Sequence, residues 1–180
     1  MRLPEIKLMT DEELNAEIER LKQRVLDAKD VFRTVNDEAF EVSRKYTKLR
    51  ARVNTLRFEW LGVCEAVKIL RDNPGKHHTG LLMLKAKTER EYRDARLESL
   101  RTLKEGRELL SGASQAHKEY TLLMAKCEYL ELIRRRRETA HRWENADSRV
   151  REILSDYALE LEDQIYRKGD KLARLREDLS

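Results

Sequence analysis

Apolar residues from Leu14 to Leu70 recur alternately four and three positions apart, through Val25, Phe32, Val42, Leu49, Leu56, Trp60 and Val67, with seventeen seam positions filled in succession. In a chain that is 40% hydrophobic, a given register is filled this way by chance roughly once in ten million trials. A period of about 3.5 residues keeps one stripe against a partner helix only when the two supercoil to the left. The pattern predicts one uninterrupted helix over 10–72, about 90 Å long at ~1.5 Å per residue.

Its start lies in "MTDEEL", residues 9–14. Thr10 suits the N-cap, Glu13 stands where it can return the hydrogen bond, and Met9 and Leu14 flank the cap where a hydrophobic staple closes. Asp11, Glu12 and Glu13 oppose the positive end of the helix dipole. The stop is "RDNPGKHHTG", residues 71–80. Pro74 biases Asn73 out of the α region, Gly75 relaxes the backbone, and Thr79 suits the cap of a following helix. A short connection at 73–79 predicts antiparallel neighbours.

If the chain reverses there, residues that face each other have numbers summing to about 151, the sum for Leu70 and Leu81. Val67 then faces Leu84, Trp60 falls near Tyr92, Leu56 faces Ala95, Ala28 faces Leu123, Leu21 faces Leu130 and Ile18 faces Ile133. Under the same rule Gly106 falls opposite Tyr46 and Gly112 opposite Ala39, which makes both glycines packing features of a second helix over 80–140. The competing reading is a turn at "LLSGASQ", with Ser111 and Ser114 capping a new helix across 111–114.

Residues 141–180 outrun the first helix, yet Trp143, Val150, Ile153, Leu154, Tyr157, Leu161, Ile165, Leu172 and Leu175 still trace an apolar stripe. Such a stripe needs cover. It either folds back near "ENADS" as a third helix over off-seam residues such as Leu26, Val31 and Phe40, or pairs with another chain. Because a two-helix seam makes a thin core, the second reading is preferred, with Trp143, Val150, Ile153, Tyr157, Leu161, Leu172 and Leu175 as the oligomer interface. The expected fold is all-α: a long antiparallel helical hairpin of coiled-coil type with a C-terminal helical extension or third helix, elongated and oligomeric. Residues 1–9 form a lead, and the partner is a second copy, giving a dimer or larger, or a helical protein.

Composition agrees. The 180 residues hold only two prolines and six glycines, and an alphabet rich in Ala, Glu, Lys, Leu and Arg reads as long helices. Charged residues are 40% of the chain, but the net charge is only +4, so a basic site must be local. The four arginines 134–137 look like such a site. Under the pairing rule they lie beside Asp11, Glu12, Glu13, Glu17 and Glu19, and segments 11–24 and 127–140 together carry seven bases against eight acids. That run is neutralised at home. The stretch "RKYTKLRARVNTLR", residues 44–57, has six bases and no acid. Its opposing segment 94–107 adds four bases against three acids. Arg44, Lys45, Lys48, Arg50, Arg52, Arg57, Arg101 and Lys104 are therefore the candidates for an anionic partner.

Chemistry is sparse. Cys64 and Cys127 lack zinc or disulfide spacing, and His77 and His78 lack a companion ligand, so no metal, cofactor or small-molecule substrate is expected. No glycine-rich phosphate loop and no nucleophile–base arrangement stands out, which argues against an enzyme. No apolar run suits a bilayer span or secretory leader, which places the chain in the cytoplasm. The sequence thus points to a non-enzymatic structural or adaptor protein that mediates protein–protein assembly. The alternative is a nucleic-acid or anionic-surface binder using the central bases, and peripheral contact with acidic lipid is a third reading.

Overall fold

The computed structural model describes Ile6 and residues 8–71 and 78–177. The expected turn falls outside them as far as residue 77, and residues 78 and 79 are already helical. Three helices account for nearly all of the described residues: α1 (Asp11–Arg71), α2 (His78–Glu144) and α3 (Ser148–Glu177). The all-α class follows, with no strand among the described residues.

The capping box forms as the residue types require. The Thr10 amide donates to Glu13 Oε2 at 2.8 Å, and the Glu13 amide donates to Thr10 Oγ1 at 3.2 Å. These bonds satisfy two donors that the first helical turn leaves open. Leu14 beside them is fully buried.

The contacts divide into two units, to each of which α1 and α2 both contribute. Unit 1 comprises residues up to Arg33 and from Ser114 onward, and therefore contains α3. Its core gathers Ile6, Leu14, Ile18 and Leu21 with Leu123, Cys127, Tyr129 and Leu130, and Val25, Ala28, Ile133 and Ile165 pack around them. Ile6, in the lead ahead of α1, is a core residue.

In unit 1, α3 folds back along α2. Lys168 pairs with Glu128, Arg136 Nη2 lies 2.7 Å from Glu162 Oε1, and Gly169 lies beside the Tyr129 ring. The reversal at 145–147 is held by side chains. The Asp147 carboxylate accepts the Val150 amide at 2.9 Å as N-cap of α3. Arg151 donates to the last carbonyls of α2, at Trp143 and Glu144, while its guanidinium sits 5.0 Å from the centroid of the Trp143 ring. Trp143 Nε1 in turn donates to Ser155 Oγ at 3.1 Å. The last carbonyls of a helix have no partner within it, and here a cation supplies one.

Unit 2 comprises Thr34–Ala113 and has two helical segments. Trp60 and Tyr92 stack with ring centroids 5.8 Å apart and planes 7° apart, near the expected register. The glycines differ from expectation by about one turn: Gly106 abuts Val42, not Tyr46, and Gly112 abuts Val35, not Ala39. α2 runs unbroken through 111–114. The glycine penalty of about 1 kcal/mol is small beside the continuous ladder and the burial of the neighbouring Ala113. Buried Thr88 keeps its hydroxyl satisfied by donating to the Leu84 carbonyl at 3.0 Å, so a polar seam position costs little.

Candidate interaction surfaces

The eight candidate cations all belong to unit 2, and every one is exposed. Arg44 pairs with Glu41 at 3.1 Å and lies 6.0 Å from the centroid of the Phe40 ring. Lys104 approaches Glu108 at 3.8 Å. Lys45, Lys48, Arg50, Arg52, Arg57 and Arg101 make no ion pair among the described residues. Buried seam residues Leu49 and Leu56 define the inner face of α1. At helical spacing, Lys45 and Arg52 flank that face on one side and Arg50 and Arg57 on the other.

Between those flanks the outward face of α1 is uncharged, with Thr47, Ala51, Asn54, Phe58 and Leu61. Phe58 is 74% exposed, and Phe40, Leu61 and Ile69 are exposed on the same face. Leu97, Leu100 and Leu110 on α2 are exposed as well. Of these the sequence pattern singled out only Phe40, as an off-seam residue; the spacings of three, eleven and eighteen residues from Phe58 to Leu61, Ile69 and Phe40 on α1 were the available signal.

The proposed oligomer stripe on α3 separates into two sets. Leu161, at 1% exposure, and Leu172 are buried in unit 1 by the chain's own helices. They cannot also face a second copy, so their assignment to an oligomer interface is corrected. The reason is that α3 folds back and these positions form its inner face. Trp143 is half used, since Arg151 and Ser155 engage it within the chain. Val150, Ile153 and Tyr157 are exposed, with Ile153 at 64%, and Leu175 is half-buried. Leu26, Val31 and Phe40, offered as residues a third helix would cover, are also exposed.

The arginine run is distributed over several partners. Arg137 Nη1 donates to Asp11 Oδ1 at 2.9 Å and to the Met9 carbonyl at 2.8 Å, while its Nη2 donates to the Ile6 carbonyl at 3.0 Å. Arg136 turns to Glu162 on α3, and Arg134 Nε lies 3.5 Å from Glu138. Acids on all three helices, Asp11, Glu138 and Glu162, thus pair with arginines of the run, and backbone carbonyls accept further hydrogen bonds from Arg137. The Arg137 hydrogen bond, assisted by His141, holds the Asp11 carboxyl below its ordinary range against desolvation.

Cys64 and Cys127 are both free thiols. Burial raises the Cys127 thiol above its ordinary value, with the neighbouring acid Glu131 adding to the shift, so its reactive thiolate is disfavoured. Among the described residues no group of His, Cys, Asp and Glu could hold a metal ion, and no helix is long and apolar enough to cross a membrane. No protein-family model, curated protein or solved structure matches this chain.

Proposed function

We propose that the protein is a non-enzymatic structural or adaptor protein whose α1 and α2 form an antiparallel coiled-coil hairpin and which assembles with a second copy of itself in the cytoplasm. The observation that carries this reading is the uneven use of apolar residues in unit 2. Its buried positions include Ala39, Leu49, Leu56, Thr88, Ala95, Thr102 and Ala113, whereas Phe40, Phe58, Leu61, Ile69, Leu97 and Leu100 stay exposed. Covering a large apolar side chain contributes about 1.5–3 kcal/mol, so association has a ready driving force.

Charge complementarity selects the partner. The exposed Val150, Ile153 and Tyr157 on α3 are flanked by Glu152, Asp156 and Glu160, which are also exposed. That acid-rimmed apolar face matches the base-rimmed outer face of α1 around Phe58. Rim charges of this kind set orientation and partner choice.

Light scattering of the full chain at micromolar concentration is expected to give a multiple of the monomer mass. Phe58→Asp or Ile153→Asp should return it to the monomer with its helical signal retained. Reversing Arg50, Arg52 and Arg57 to Glu should weaken association, and adding Glu152, Asp156 and Glu160→Lys should restore it. A dilute monomer unaffected by any of these changes would refute the reading.

The six cations without an ion pair favour one second reading, a nucleic-acid or acidic-surface binder. It calls for salt-sensitive binding to DNA, RNA or acidic vesicles that collapses in the Arg50/Arg52/Arg57→Glu variant. The compensating α3 reversals would not rescue it.

A further inference from the structure

Unit 1 contains a cavity of about 250 Å³ between its three helices. This is larger than the ~150 Å³ apolar void that admits benzene and near the lower end, about 300 Å³, of ordinary ligand pockets. Ile6, Leu21, Leu130 and Leu172 form its floor, and all four are buried. The charged residues of the lining stand at the rim: Arg24 and Arg176 are exposed, and Glu17 and Lys126 are half-buried. They carry both signs and are screened by solvent, so the rim selects no ionic ligand.

One polar side chain lies among the buried residues of the lining. Tyr129 borders the cavity at only 3% exposure, with its ring beside Gly169, another lining residue. Its phenol has no hydrogen-bond partner among the described residues. A buried tyrosine hydroxyl ordinarily finds one. Burial is also the one influence that raises this phenol above the ordinary tyrosine value, with no neighbouring charge contributing. A water molecule on the floor would meet this hydroxyl and four aliphatic side chains, whereas buried water is ordinarily held by about three hydrogen bonds.

We propose that this cavity binds a small uncharged ketone somewhat larger than benzene, with its apolar body against Ile6, Leu21, Leu130 and Leu172 and its carbonyl oxygen accepting the Tyr129 hydroxyl. A hydrocarbon would fill the floor but leave the hydroxyl unpaired. An ionised head would lose its water for a single hydrogen bond. A neutral acceptor on an apolar body meets both conditions. Because Ala173 is exposed on α3 yet lines the cavity, a larger residue there can obstruct the space without disturbing the core.

Isothermal titration calorimetry on the full chain tests this with acetophenone, α-methylstyrene and benzoate, which share a ring and carry a carbonyl oxygen, a methylene in its place and a carboxylate. Acetophenone should bind at one site per chain, and benzoate more weakly. Tyr129→Phe keeps the ring and removes the hydroxyl. It should weaken acetophenone about fivefold, the equivalent of one neutral hydrogen bond, while α-methylstyrene binds no less tightly than before. Ala173→Phe should abolish binding of both, with the far-UV helical signal unchanged. Should Ala173→Phe unfold the chain, competition between the two neutral ligands supplies the second arm and should show one shared site. Without ligand, Tyr129→Phe should unfold at the same urea midpoint as the wild type or higher, and a marked drop would show that the hydroxyl is already paired and overturn the proposal. Failure of acetophenone to bind at millimolar concentration would do the same. So would tighter binding of benzoate, or equal losses for acetophenone and α-methylstyrene in Tyr129→Phe.

Discussion

Arg137 and Asp11 are 126 residues apart in sequence and meet at 2.9 Å. The same guanidinium donates to two backbone carbonyls, those of Ile6 and Met9, and so ties the chain ahead of α1 to the end of α2 within unit 1. Replacing Arg137 by Met should destabilise the protein by about 1–3 kcal/mol, because partly buried acceptors lose their donor. Urea denaturation of the two proteins measures the difference.

The same pair sets a pH response. The folded Asp11 carboxyl titrates below its ordinary value of 3.8, chiefly through the Arg137 hydrogen bond. A lowered folded value gives stability that is complete above the unfolded pKa and is lost as pH falls through the folded one. Acid titration of the wild type should therefore lose this contribution below about pH 4. Asp11→Asn should lack that part of the acid limb, and an identical acid limb in both proteins would contradict the linkage.

Trp60 and Tyr92 form the aromatic contact of unit 2, but Trp60 Nε1 is buried without a hydrogen-bond partner. Trp60→Ala should cost about 3 kcal/mol through lost packing. Trp60→Phe should cost much less, since it removes the unsatisfied donor while retaining a ring. A double-mutant cycle with Tyr92 should return a coupling of about 0.5–1.5 kcal/mol.

The helical glycines should separate by their surroundings. A Cβ at Gly62 meets nothing within 4 Å, one at Gly112 meets Val35 Cγ1 at 3.6 Å, and one at Gly106 meets Val42 Cγ1 at 3.4 Å. Gly62→Ala should stabilise by the full helix-propensity difference, about 1 kcal/mol. Gly112→Ala should gain slightly less and Gly106→Ala least, in thermal unfolding. The opposite order would mean that close approach to the valines governs these sites.

Leu161 and Asp147 report on the docking of α3. Leu161→Ala should destabilise unit 1 by about 2–5 kcal/mol through a cavity in its core. Asp147→Ala should cost about 1 kcal/mol by leaving the Val150 amide without its cap. Hydrogen exchange should show the α3 amides losing protection in both variants, with the larger effect in Leu161→Ala.

Several of these features are legible along the chain because they depend on near neighbours. The Thr10–Glu13 cap needs only three residues of separation, and the apolar spacing of α1 identifies its inner face around Leu49 and Leu56. The pairing of Trp60 with Tyr92 follows from the position of Pro74. The glycine contacts do not, since Val35 and Val42 replace Ala39 and Tyr46 through a one-turn offset that short-range pattern cannot resolve.

By itself, then, the sequence determined helical class, the start of α1 and the candidates for inner and outer faces, because backbone hydrogen bonding and side-chain period act over a few residues. Only the tertiary structure decided that α3 returns along α2, that Leu161 and Leu172 are core, and that Arg24, Lys126 and Arg176 line one cavity. Those outcomes rest on contacts such as Arg136 with Glu162, 26 residues away, and Lys168 with Glu128, 40 residues away. An apolar stripe on a helix is equally satisfied by its own chain or by another, and the difference lies in the geometry of the turn at Asp147, where Arg151 meets the carbonyl end of α2.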